Sequence, residues 1–147
     1  MAVHRTCVRC CFAILAVFSV CFVSGCSRQI GDYKYTCWQD GIVSSFCQKK
    51  LPGPYDLLSL DGNPPKLYRV LSGGDFVGAI QTEDHSLELL QVGANKIGVV
   101  AVLEGGKVYY SIFSKSEPDW HSLHGPVTLA EAKVVLKDNW PKLRDVQ

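Results

Sequence analysis

Thiols, imidazoles and carboxylates are the side chains of this sequence whose spacing could support chemistry. The chain has seven cysteines. Cys7 and Cys10 have the separation of a metal-ligand pair, yet no second pair of the zinc type follows them. Cys37 and Cys47 are too far apart for a redox site of the Cys-x-x-Cys kind. In an exported chain they are expected to join as a structural disulfide, with two buried free thiols as the alternative. Trp120-His121-Ser122-Leu123-His124 sets two histidines beside Glu117 and Asp119. On a helix these could be metal ligands, but Pro118 and Gly125-Pro126 bracket the segment and favour a loop, so no metal is assigned. Asp84-His85-Ser86 has the side chains of a hydrolytic relay in consecutive positions, where they cannot fold onto one another, and no nucleophile elbow accompanies them. The paired glycines lack the strand-to-helix setting of a phosphate loop. No catalytic constellation is legible, and the expectation is a protein that is not an enzyme.

Cys26 stands apart because of what precedes it. Residues 1–9 carry His4, Arg5 and Arg9, and residues 10–24 form an uninterrupted weakly polar to apolar stretch of fifteen. A spanning helix needs about 20 apolar residues, whereas fifteen suits the hydrophobic part of a secretion signal. Val23-Ser24-Gly25-Cys26 then resembles the lipobox of bacterial lipoproteins: an aliphatic residue, two small residues and an obligatory cysteine. Valine stands where leucine is usual, and the resemblance covers these four residues and the layout of the leader. It implies recognition of Val23, Ser24 and Gly25 by a signal peptidase, and cleavage before Cys26. The thiol would carry a diacylglyceryl group as a thioether, and the freed amine often takes a further acyl chain; no other cofactor is implied. Each buried methylene contributes about 0.8 kcal/mol, so two or three chains hold a membrane far more firmly than one. Ser27 rather than aspartate follows the cysteine, which by analogy with enteric bacteria implies the outer membrane, facing the periplasm, if the source is Gram-negative. An ordinary secreted protein with Cys26 free or paired, and an uncleaved anchor, are the other readings of the same leader.

The elements that would position these groups follow from pattern. Two of the 15 lysines and arginines lie in the leader, leaving 13 against 14 acidic side chains. That balance supplies no long-range field and disfavours nucleic acid as a partner. Residues 1–25 read as the signal peptide, 26–32 as a polar lipidated tether, and 33–147 as one soluble α+β domain. Tyr33 to Trp38 alternates as a strand and turns at Gln39-Asp40-Gly41. Residues 51–65 are rich in Pro and Gly and read as a loop, with Tyr55 to Leu60 apolar enough to cover part of a core. Gly73-Gly74 and Gly105-Gly106 read as two-residue hairpin turns, pairing Leu71 with Phe76 and Leu103 with Val108. Residues 97–113 are apolar on both faces, so those strands should be central and covered. Thr128-Leu129-Ala130-Glu131 is a capping box, and Leu129, Ala132, Val135 and Leu136 form a stripe at helical spacing that should end near Asn139, ahead of Pro141. The expected fold is a mainly antiparallel β-sheet of hairpins with one C-terminal helix packed on it.

Three function classes fit an envelope lipoprotein of this kind. The first is a small non-catalytic binding or protective module of immunity, inhibitor or exclusion type, holding one envelope protein. Tyr33-Lys34-Tyr35-Thr36-Cys37 is similar to the start of lysozyme-inhibitor lipoproteins, but their later Gly-, Lys- and Ala-rich motif is missing, so none of their residues is carried over. The second class is an accessory subunit of an envelope assembly or secretion machine. The third is an envelope hydrolase or metal binder. Tyr55 in the Leu51–Pro65 loop and Trp120 are the candidate partner contacts, because aromatic loop residues are common binding anchors.

Overall fold

The computed structural model of the protein describes residues 25–40, 44–80, 83–113 and 123–147. The described residues build two antiparallel sheets. The first has six strands in chain order: β1 (Cys26–Ile30), β2 (Tyr33–Asp40), β3 (Ser44–Lys50), β4 (Tyr55–Leu60), β5 (Lys66–Val70) and β6 (Phe76–Gly78). The second comprises β7 (Leu89–Ala94), β8 (Gly98–Leu103), β9 (Val108–Ile112), β10 (His124–Val127) and β11 (Arg144–Asp145), in the spatial order β10-β9-β8-β7-β11. Helix α1 (Leu129–Leu136) joins β10 to the C-terminal strand through a short 3-10 turn at Lys137–Asn139. Hairpins followed by one C-terminal helix are the arrangement expected from the sequence.

Alternation along each strand sorts side chains into layers. Tyr33, Tyr35, Cys37, Cys47, Tyr55, Leu57 and Leu67 point inward from the first sheet. They meet Leu89, Val92, Val99, Ala101, Leu103 and Tyr109 of the second. The opposite face of the second sheet offers Val100 and Val108 to Ala132 and Leu136 of α1. Strands β8 and β9 are therefore covered on both sides, as their apolar faces require. Helix α1 starts at its capping box: the Thr128 hydroxyl accepts from the Glu131 amide at 3.2 Å, and the Glu131 carboxylate accepts from the Thr128 amide at 2.7 Å. The Thr128 amide, together with the Thr128 hydroxyl donating at 2.8 Å, holds the Glu131 carboxyl below its ordinary pKa. The buried stripe is narrower than expected. Ala132 and Leu136, one turn apart, reach the sheet, whereas Leu129 and Val135 are 38% and 45% exposed, because so short a helix touches β9 along a single line.

Both glycine-pair hairpins have a register one residue away from the expected one. Val70 faces Phe76, and Val102 faces Val108. The cause is loop length. The Leu71 amide donates to the Asp75 carbonyl (2.9 Å) and the Leu103 amide to the Lys107 carbonyl (2.8 Å), so each turn holds three residues. Gly74 and Gly106 take the left-handed conformation at φ 87° and 75° that such a loop requires. Shifting the pairing by one residue exchanges faces. Tyr109 therefore enters the core and Tyr110 turns toward the helix.

Two further expectations change. Residues 26–32 are not a free tether: Cys26–Ile30 pairs along its whole length with β2, Cys26 opposite Cys37 and Ile30 opposite Tyr33. Its polar side chains are those of an exposed edge strand, where charge and polarity discourage further pairing. Residues 51–65 are not one loop either, because Tyr55–Leu60 is a central strand. The C-terminus closes the sandwich. The Asp32 amide donates to the Asp145 carbonyl at 2.8 Å, and the Val146 amide donates to the Leu90 carbonyl at 3.1 Å. From β2, the Tyr33 hydroxyl reaches the Val92 carbonyl at 2.8 Å.

Cys37 and Cys47 are bonded across β2 and β3, directly opposite one another with Cα atoms 4.0 Å apart. Replacing both by serine should lower unfolding free energy by about 2–3 kcal/mol, the worth of closing a short loop, measured as a shift in denaturant midpoint. Reduction of the unmodified protein should add the mass of two hydrogens. Gly31→Ala should loosen the C-terminal clasp, because a Cβ there would lie 2.5 Å from the Asp145 carbonyl oxygen at φ 54°. The expected loss is more than about 1 kcal/mol, with faster amide exchange at Val146.

Candidate functional site

Gly25 and Cys26 are the two lipobox residues within the described part of the chain; Val23 and Ser24 lie outside it. Cys26 opens β1 with its thiol free and exposed, while the two cysteines downstream are consumed in their disulfide. Among the described residues, Cys26 is thus the one accessible thiol, and it stands at the first residue of β1. Among the described residues, no helix is long and apolar enough to cross a membrane.

The structure places Tyr55, one of the two expected contact residues, in the core. Tyr55 is 1% exposed. Its ring stacks on Phe113 with centroids 5.9 Å apart, and the buried Arg69 guanidinium lies 5.8 Å from its centroid. Tyr55 is a core residue, so no partner can touch it without unfolding the sheet. Trp120 and His121 lie outside the described residues. His124 is exposed in β10, its ring tilted against Tyr110 at 5.7 Å.

What the former loop does contribute is a wall. Its tail, residues 61–65, turns between β4 and β5 and borders a surface recess of ≈ 370 Å³. Leu58, Leu60, Pro64, Pro65 and Tyr68 form one side, and Leu87 and Leu89 the other, with Lys66 and Glu88 supplying charge. A second recess continues from Lys66, Tyr68, Leu87 and Leu89 toward Asp84 and His85. The Lys66 ammonium donates to the His85 carbonyl at 3.3 Å, tying the two walls together. The lining is mainly apolar, with convergent polar groups at one end, which is the usual make-up of a binding groove.

Asp84 anchors the far end. It lies in the 3-10 turn Glu83–Ser86 and is 9% exposed. Its carboxylate accepts from the Lys107 ammonium and, at 2.7 Å, from the Tyr109 hydroxyl. These two hydrogen bonds hold the Asp84 carboxyl below its ordinary pKa, against desolvation, and the same contact raises that of Lys107. Ser86 donates its hydroxyl to the Glu83 carbonyl at 3.4 Å. Asp84 and Ser86 thus engage different partners. Among the described residues, no group of three or more His, Cys, Asp and Glu side chains is placed to hold a metal ion. The Asp84, Lys107 and Tyr109 cluster was not visible in the sequence, because it depends on the one-residue shift of the β8–β9 hairpin that turns Tyr109 inward.

A carboxyl with a depressed folded pKa contributes stability that is full above the ordinary carboxylate value and lost as pH falls through the lower folded value. Asp84→Asn should therefore be destabilised most at neutral pH. The gap to wild type, followed by urea denaturation, should close as the solution is acidified through and below the carboxylate range. A constant gap across that range would mean that Asp84 acts by shape alone.

No protein-family model, curated protein or solved structure matches this chain.

Proposed function

We propose that the chain is the precursor of a lipid-anchored protein of the bacterial envelope, whose sandwich domain binds a partner and transforms no substrate. The observation that carries this reading is the free, exposed thiol of Cys26, the last residue of a lipobox-like tetrad at the end of an export leader. All eleven strands and the helix among the described residues lie downstream of Gly25. Cleavage before Cys26 would therefore leave the domain whole and place its first residue at the bilayer. Ser27 directs the anchored protein to the outer membrane in a Gram-negative cell.

Binding by the domain is supported by the groove beside residues 61–65. Its apolar walls and single charges, Lys66 and Glu88, suit an extended segment of a protein partner, alternating apolar and polar side chains. An immunity, inhibitor or exclusion protein works in this way, by occupying a surface of another protein.

Labelled fatty acid should enter the wild-type chain and be absent from Cys26→Ser; equal labelling of the two would sink the anchor reading. Lys66→Glu, at an exposed position on the groove wall away from the aromatic row, should abolish retention of the envelope protein held by the wild-type domain. Unchanged retention would place the binding surface elsewhere.

A further inference from the structure

Beside the groove, and sharing Leu60 with its wall, the outer face of the six-stranded sheet carries an aromatic group. Trp38 of β2, Phe46 of β3 and Leu60 of β4 form one cross-strand row, with Trp38 opposite Phe46 and Phe46 opposite Leu60. The Trp38 and Phe46 ring centroids are 4.9 Å apart. Phe76 of β6 joins them, its centroid 6.3 Å from that of Phe46. Phe76 is three strands over from Phe46 and six residues off its row, which in a flat sheet would keep the two about 25 Å apart. The sheet is therefore curled toward its outer face, and three aromatic rings gather above it. Phe76 and Leu60 remain 38% and 43% exposed.

The position of this row relative to Cys26 indicates what covers it. Cys26 faces Cys37, Cys37 faces Cys47 and Cys47 faces Ser59. The row Trp38, Phe46, Leu60 is the next one along, on the side from which the leader enters. By strand geometry Trp38 is about 6 Å from Cys26, backbone to backbone. No spacer intervenes, because β1 is paired with β2 from Cys26 onward.

We propose that the Trp38, Phe46 and Phe76 cluster rests on the bilayer surface beside the acylated Cys26, so that the domain lies against the membrane in one orientation. The proposal rests on the lipid-anchor reading above. Acyl chains on Cys26 bring the headgroup layer to the level of the first residue of β1, and the row beyond that level then meets lipid. Tryptophan suits this depth, since its ring is apolar and its indole N–H can bond to headgroups or water. Trp140 lies in the opposite layer, packed with α1 behind the second sheet, and should face away.

The chain from Cys26 onward contains three cysteines, two of them in the disulfide, so a maleimide phospholipid couples to Cys26 alone. Two reporters would be coupled to vesicles of phosphatidylethanolamine and phosphatidylglycerol. One keeps Trp38 (Trp120→Phe with Trp140→Phe) and the other keeps Trp140 (Trp38→Phe with Trp120→Phe). With lipid brominated on its acyl chains, Trp38 emission should be quenched and shifted to the blue, and Trp140 emission unchanged. Phe76→Glu added to the first reporter should restore Trp38 emission. An unquenched Trp38, equal quenching of both reporters, or quenching that survives Phe76→Glu overturns the docking. Since chemical coupling bypasses cellular acylation, these outcomes are separate from the fatty-acid labelling, whose failure would remove the anchor reading itself.

Discussion

The bond between Cys37 and Cys47 joins residues that face each other across β2 and β3, and a strand cannot turn one side chain without turning all of them. Holding Cys37 inward sends Tyr33 and Tyr35 inward with it and leaves Lys34, Thr36 and Trp38 outside. The same parity runs through register to β4, where Tyr55 and Leu57 enter the core, and to β5, where Leu67 does. In the other direction it sets Cys26 beside the disulfide at the sheet edge. With the disulfide seated on the inner face, strand parity thus decides which residues of the six-stranded sheet meet the second sheet. It also fixes that Trp38 and Phe46 cannot be core residues of the sandwich.

A second constraint acts on the other sheet through turn length. Had Gly105-Gly106 formed a two-residue turn, Tyr109 would have faced the helix, and the Asp84 carboxylate would have lost the phenol that reaches it from β9. The three-residue turn brings Tyr109 to Asp84 and leaves Lys107 at the base of the hairpin, able to bond the same carboxylate. An acidic side chain buried without such partners would be costly. The 3-10 turn that forms one end of the groove is thus held in place by two residues of a hairpin distant in sequence.

Features decided by neighbouring residues were legible in the sequence. The capping box at Thr128, the end of α1 ahead of Pro141, the pairing of Cys37 with Cys47 and the doubly covered β8 and β9 all follow from local pattern. Features decided by counting residues in a turn were not. Glycine pairs announce a hairpin but fit two-residue and three-residue loops equally, and the choice between them changes which face every flanking side chain occupies. Edge strand β1 was read as a tether because its exposed residues, Ser27, Arg28 and Gln29, are as polar as those of a loop. Strand β4 is masked in the sequence by the prolines and glycines that bound it and by Asp56 and Ser59 within it, although Tyr55, Leu57, Leu58 and Leu60 in six residues fit a strand buried on both faces. With that strand in the centre, Tyr55 is a core residue, and the adjoining turn at 61–65 borders the surface groove.

The pairing of β1 also changes what an anchor at Cys26 would mean mechanically. A flexible spacer of seven residues has a root-mean-square reach of roughly 15 Å and lets a domain tumble above the bilayer. Zipped into the sheet edge, those residues give almost no reach and restrict rotation to the thioether and its glyceryl group. Such an anchor exchanges search volume for orientation. A partner would then meet the groove at a set height and angle, with less rotational freedom left to lose on binding. A partner confined to the same membrane would gain further from the raised local concentration. A rigidly mounted domain with no long arm is suited to a target at the membrane surface and poorly suited to one free in solution.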